Sequence, residues 1–472
     1  MTLRQLRPDT VPPAPRYRGI VFLMGLCQLV LTTDFSIVSV ALPSIGRALN
    51  IQPAMLSWVI SATALAFAGF LILGGRLTDL LGQRRCLFAG LVLFGAGSLL
   101  SALAPSIWAL LPARAFQGLG AALLSPSSFS LINTLVPEGA PRHRALGVFG
   151  MMQGMSVIIG LVLGGFLTTA FGWRIVFLLN VPSILVALIL VWRLVPRTSR
   201  EGVKTFENLP SAALITIATT LLLWALSLIG ESGLKSGGGA AALLLAVAGY
   251  VAFYIFESRI ASPLVPRSVF TPQLIVGCFA GLGLLAGVGG IFLLANLYMQ
   301  TVLKFSAAAS GLGMLPYATA VVVAGQAVPF IMARMPLKAT AILGFCINIL
   351  GLLMLAAFAR SETYVIAVLL GSIIAPIGSL VGYMALIGNA TAGISSSQQG
   401  LASAVLFTFQ QIGVAVGGTV CLSVAAASSL NSSGTLSATD FQVGYVAAAV
   451  LAAIGLIAIA MPSVRKRRIA NA

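Results

Sequence analysis

A repeated length most constrains this chain. Along its 472 residues, apolar runs of about twenty residues recur between short polar segments. Twenty residues at 1.5 Å rise cross roughly 30 Å, the hydrocarbon thickness of a bilayer. Runs near 20–42, 55–75, 86–104, 107–131, 146–170, 175–194, 210–229, 239–256, 274–302, 309–332, 339–359, 363–388, 400–427 and 443–462 meet that length. The expectation is an all-α polytopic membrane protein with fourteen spans, embedded in a lipid bilayer. Composition agrees: 59% of residues are hydrophobic and 8% charged, against about 25% charged in a soluble domain. The first run, from Gly19, reads as a retained helix, because no small-residue cleavage site precedes Asp34.

The charges orient the spans. Of the 27 Lys and Arg residues, 21 fall on the side that holds both termini, including Arg84, Arg85, Arg142, Arg144 and the Arg465–Arg468 tail. Arg47, Arg174, Lys235, Lys304 and Arg360 fall on the other side, and Arg114 lies within a span. Such a bias places both termini in the cytoplasm. The net charge of +17 is spread in short clusters between apolar runs; it offers no contiguous basic face, so nucleic acid is not an expected partner. Abundant Ala, Gly and Arg suggest a GC-rich bacterial genome, hence a bacterial inner membrane.

Two polar breaks divide the chain. The expected layout is an N-terminal tail at 1–18, six helices at 19–195, a linker with spans seven and eight at 196–271, six helices at 272–463, and a basic tail at 464–472. The two outer blocks of six read as duplicated halves, the architecture of transporters that rock one bundle against another. A monomer is expected.

Asp34 is the acidic residue clearly inside a span, and a carboxylate there is a functional candidate by default. Desolvation favours its protonated form and a nearby cation its charged form, so alternation between the two loads and releases a proton. Arg114 lies about seven residues into span four, and Asp34 eight residues before the expected end of span one. Both then sit roughly 10–12 Å below the outer surface and are able to meet. A proton-coupling pair and a static ion pair that holds helices in register both fit.

Several motifs extend this reading. The loop G-G-R-L-T-D-L-L-G-Q-R-R runs from Gly74 to Arg85. Gly75 permits close helix approach, Gly82 a tight turn, and Asp79 is placed to hold a basic partner across the seam between bundles. With Leu77, Gln83, Arg84 and Arg85, these residues resemble the loop signature of the major facilitator superfamily, and the resemblance implies a conformational gate. R-A-F-Q-G-L-G-A-A, from Arg114 to Ala122, resembles the signature of proton-driven members. S-V-I-I-G-L-V-L-G-G, from Ser156 to Gly165, resembles the antiporter signature. In it Ser156, Gly160 and Gly164 share one helix face, with Gly165 beside them. The family's proline after the middle glycine is Leu161 here, which puts a proline-dependent bend in doubt. Further matches lie at Asp34–Pro43, Ser57–Ile60, Gly172–Pro182, Tyr298–Gln300 and Ser310–Pro316. Together they resemble the fourteen-helix drug:proton antiporters, of the multidrug and quaternary-ammonium efflux type. That resemblance implies export of small lipophilic, sometimes cationic, compounds in exchange for protons by alternating access.

Gln28, Trp58, Gln117, Gln153, Asn296, Gln300, Gln326 and Gln410 are candidate cavity residues; polar groups such as these, Asn348 and Gln411 also serve as bonds between helices. Cys27, Cys86, Cys278, Cys346 and Cys421 lack metal-site spacing and read as packing residues. His143 sits in a basic loop, and no metal site is expected. No phosphate-binding loop or nucleophile–base set is visible, so the expectation is no enzyme and no cofactor, with a proton gradient as energy source. Uniport or proton symport of a small metabolite is the alternative.

Overall fold

A computed structural model of the chain describes residues 14–461, apart from 51–52, 138, 197–208, 233–236, 261–262, 306, 362, 396–397 and 429–435. Among the described residues fourteen helical segments are long and apolar enough to cross a membrane. In chain order they begin with α1 (Ala14–Ala48), α2 (Pro53–Leu81), α3 (Gln83–Leu103), α4 (Ile107–Leu135) and α5 (Ala140–Phe171). Span six is broken at Leu179 into α6 (Arg174–Leu178) and α7 (Asn180–Leu194). Spans seven and eight are α8 (Leu209–Ser232) and α9 (Gly237–Arg259). Then come α10 (Pro272–Thr301), α11 (Ala307–Gly313) with α12 (Leu315–Arg334), α13 (Leu337–Phe358), α14 (Leu370–Ala390), α15 (Gln399–Ser428) and α16 (Ala438–Ala460).

Several helices overrun the apolar runs that announced them. Helix α1 begins at Ala14, inside the expected tail, and continues to Ala48. Helix propagation needs only internal hydrogen bonds, so it carries past the apolar stretch. Asp34 therefore lies fourteen residues from the helix end instead of eight. Helix α5 runs unbroken past Leu161. Glu257, one residue past the apolar run 239–256, stands in the last turn of α9, where its Oε1 accepts the N–H of Val265 at 2.8 Å. Asp440 is buried as well, as are Asp34 and Asp79; it completes a capping box with Ser437 at the start of α16.

Helices α1–α7 pack as one bundle, with α1 on α5, α2 and α3 on α4, and α3 on α7. Helices α10–α16 form the second, with α10 on α15 and α16, and α13 on α14. Helices α8 and α9 pair at the side, α8 lying on α2 and α15. The seam between bundles is α2 and α4 against α15, and α5 against α12 and α14. Large apolar side chains such as Phe166, Ile189 and Leu244 face outward, as a lipid-solvated surface requires. Trp108 and Trp192, both largely exposed near helix ends, suit the membrane–water boundary. Cys346 also faces outward, whereas the other four cysteines are buried.

Candidate functional site

The seam is closed at one end and hollow over the rest of its depth. The closed end carries the α2–α3 turn. Gly82 makes that one-residue turn with φ +93°, a conformation that Gly adopts without strain. Three residues before Gly82, Asp79 reaches across the seam. Its Oδ1 accepts the backbone N–H of Gly400 at 3.0 Å and its Oδ2 that of Leu401 at 2.8 Å. Both donors belong to the first turn of α15, so an anion meets unsatisfied N–H groups at the positive end of a helix dipole. These two amides are partners of Asp79 across the seam, beside the basic side chain expected from the sequence. A Cβ on Gly400 would lie 2.7 Å from Asp79 Oδ1, and one on Gly75 would lie 2.6 Å from the Gly400 carbonyl. Both positions therefore require glycine.

Neighbouring contacts finish the seal. Asn133 Nδ2 donates to Gln399 Oε1 at 3.2 Å across the same seam. Phe129 stacks on Phe149 and on Phe407 with ring centroids 4.4 and 4.7 Å apart. This triad joins α4, α5 and α15. Arg84 does not cross the seam: its Nη2 donates to the Trp192 carbonyl at the end of α7, within its own bundle. Arg85 is exposed. Gln83 is tied inward, donating to Ser130 and accepting from Thr134 on α4.

Beyond the aromatic floor lies a cavity of about 1170 Å³, walled by both bundles. It extends from Phe129 and Phe407 to Val40, Gly165, Gln300 and Leu312, toward the face opposite the α2–α3 turn. Of the expected polar residues, Gln28, Gln153, Asn296, Gln300 and Gln410 line it. Trp58, Gln117 and Gln326 do not: Gln117 is buried inside the first bundle and Gln326 is exposed on α12. Gln411, weighed from the sequence as a cavity residue or a bond between helices, lines it too; sequence reading missed the aromatic walls, Phe35, Phe67, Phe292, Tyr317 and Tyr383. No Asp, Glu, Lys, Arg or His lies among the described lining residues.

Asp34 and Arg114 do meet, but behind the cavity wall. Arg114 Nη1 is 2.5 Å from Asp34 Oδ2, and both side chains are fully buried. Thr32, Phe35 and Ser36 of α1 line the cavity, while Asp34 points from the other side of that helix into the first bundle. There Asp34 Oδ1 also accepts from Asn180 Nδ2 at 2.8 Å and from Gln117 Nε2 at 3.1 Å. Gln117 Nε2 and Asn180 Nδ2 both reach Ser98 Oγ, at 2.7 and 3.3 Å. Arg114 Nε donates to the Val59 carbonyl at 2.8 Å, and its guanidinium lies 5.6 Å from the Phe177 ring centre. Five spans thus meet in the cluster around one carboxylate. Arg114 Nη2 has no hydrogen-bond partner among the described residues. Ser98 and Asn180 were not singled out; Asn180 lies in the G-W-R-I-V-F-L-L-N-V-P motif, whose last polar residue was the available signal.

The small-residue stripe of α5 packs on α1. The Ser156 carbonyl accepts from Thr33 Oγ1 at 3.4 Å and Ser36 Oγ at 3.1 Å. A Cβ on Gly160 would collide with Ser36 and lie 3.0 Å from the Ile37 nitrogen; one on Gly164 would lie 2.9 Å from Ile37 Cγ1. Gly165 has open space and faces the cavity. One face of α1 therefore rests on α5 while another holds the ion pair. Among the described residues no group of three or more His, Cys, Asp or Glu is placed to hold a metal ion.

Comparison with known proteins agrees with this architecture. Residues 24–418 match the family model described as the Major Facilitator Superfamily. The chain is 34% identical to a puromycin resistance protein of Streptomyces alboniger, over 86% of this chain and 81% of that one. It is 34% identical to a cephamycin export protein of Amycolatopsis lactamdurans, over 92% and 90%. A multidrug efflux pump of Mycolicibacterium smegmatis is 29% identical over 87% and 81%. Among solved structures, a Major Facilitator Superfamily transporter, FucP, in the outward conformation shares the fold with TM-score 0.63 at 12% identity, over 93% of this chain and 97% of that one. A human organic anion transporter shares it with TM-score 0.61 at 17% identity, over 95% and 100%. By its helices, its two-bundle cavity and this match, the chain belongs to the Major Facilitator Superfamily, a family of transporters and not of enzymes.

Proposed function

We propose that this protein exports small, largely apolar molecules across a bacterial inner membrane in exchange for protons, by alternating access. The observation that carries the reading is a large cavity at the bundle interface, sealed at one end by separable contacts, with a buried ion pair on the helix that forms its wall. The positive-inside bias assigns the sealed, Asp79-bearing face to the cytoplasm, so the conformation described is outward-facing. The relatives named for resistance, export and efflux support the outward direction of transport.

Rocking the bundles inward requires Asp79 to leave the α15 amides and the phenylalanine triad to part. Because α1 carries cavity residues on one face and Asp34 on another, its displacement strains the Asp34–Arg114 contact. A carboxylate separated from its guanidinium in a dry interior takes up a proton; restoring the pair expels it. Substrate and proton thus act on opposite faces of one helix, and do not compete for a shared carboxylate.

The test is transport by purified protein in vesicles with an imposed pH gradient. Gradient-driven accumulation that Asp34→Asn abolishes, with downhill movement retained, is the expected result. Accumulation that ignores the pH gradient refutes proton exchange.

A further inference from the structure

Gln410 stands apart from the other polar residues around the cavity. It is 2% exposed, it lines the cavity, and neither its Nε2 nor its Oε1 has a hydrogen-bond partner among the described residues. Of the other amides there, Gln28 donates to Thr32 at 2.9 Å and Gln300 to Asn296 and Ser310, while Gln153 and Gln411 are only half-buried. Room for the Gln410 amide is kept by Gly281, where an added Cβ would stand 3.4 Å from Nε2 and 3.2 Å from Cγ. A buried amide with both ends unpaired is costly unless a ligand completes it.

The surroundings define that ligand. The lining residues carry no formal charge, so a cationic passenger finds no carboxylate when the cavity closes over it. Ring faces alone compensate a buried cation only weakly. Phe129, Phe149 and Phe407 supply an apolar floor. The Gln410 amide offers a donor and an acceptor side by side, whose complement is an adjacent acceptor and donor.

Resting on the export reading for its place in the cycle, we infer that the passenger is an uncharged, partly aromatic molecule that pairs a lactam, imide or carboxamide edge with Gln410.

Binding to the purified full-length protein tests this without transport. Three matched probes serve: a naphthyl-substituted δ-lactam, its N-methyl derivative, and naphthyl-trimethylammonium. The lactam should bind at least about fivefold more tightly than the N-methyl derivative, the worth of one hydrogen bond, and the ammonium more weakly still. Gln410→Leu should erase the preference between the two lactams without lowering the ligand-free melting temperature. Gln410→Glu, which adds a charge and removes the donor, should turn the preference toward the ammonium, and this second variant stands if the first does not fold. Equal or tighter ammonium binding by the unaltered protein, or a lactam preference that survives Gln410→Leu, overturns the inference. Vesicle transport of the same probes separates the two proposals. Selective lactam binding without export sinks the export reading alone, whereas export that favours the ammonium sinks the Gln410 assignment alone.

Discussion

The carboxylate of Asp79 on α2 holds the N–H of Leu401 on α15 at 2.8 Å, joining two helices from opposite bundles. With the Gly400 bond beside it, this contact spans the closed end of the seam, and the proposed cycle must break it when that end opens. Asp79→Asn keeps the shape but removes the charge, and turns one acceptor into a donor that faces an N–H. A charge-assisted bond at a helix N-terminus is worth about 1–2 kcal/mol, so the balance between states should move by roughly five- to thirtyfold. Turnover per folded protein should fall while expression and melting temperature stay near the parent's. Unchanged turnover rejects the latch.

Asn180 donates to Asp34 at 2.8 Å but does not line the cavity. Asn180→Leu should therefore leave substrate affinity in place and weaken coupling. Substrate-induced proton release per bound molecule is the measurement, and release equal to the parent's would remove Asn180 from the coupling cluster.

Gly160 meets Ser36 so closely that Gly160→Ala must push α1 from α5. Overpacking of this kind costs about 1–3 kcal/mol, seen as a lower melting temperature. Ser36→Gly in the same chain should restore most of it. Gly165→Ala, with the nearest atom 3.9 Å away, should melt like the parent.

Topology is checked at exposed ends of spans. A cysteine at Met335 should label from the cytoplasmic side only, and one at Ser361 from the outside only. Labelling of both from one side breaks the orientation assigned by charge.

The spans were legible because bilayer thickness sets a length that a run of apolar residues either meets or misses. The meeting of Asp34 and Arg114 was legible through depth, since two rare charges at similar depth on helices of one bundle tend to pair. Which way that pair points was not. Helix α1 is polar on more than one face, with Gln28, Thr32 and Ser36 toward the cavity and Thr33 and Asp34 away from it, so polarity alone does not tell its cavity face from its bundle face. The same ambiguity let Gln326, which faces outward, look like Gln410, which faces in. Nor does a floor phenylalanine such as Phe129 differ in sequence from Phe166, which is 65% exposed on the outer surface. Asn180 and Ser98 join the carboxylate only because α3 and α7 pack face to face, a relation that no spacing encodes.

The separation of an uncharged cavity from the ion pair behind it sets the electrical character of the cycle. A proton that enters through Asp34 while a neutral passenger leaves through the cavity carries one net positive charge inward per turnover. Export of that kind draws on membrane voltage as well as on acidity, at about 2.3 kcal/mol per 100 mV for each charge moved. Vesicles clamped at equal pH should then still accumulate substrate when a potassium diffusion potential, negative on the cytoplasmic-equivalent side, is applied. Under the proposed exchange of protons for a neutral passenger, the uncharged wall makes the transporter a small current source.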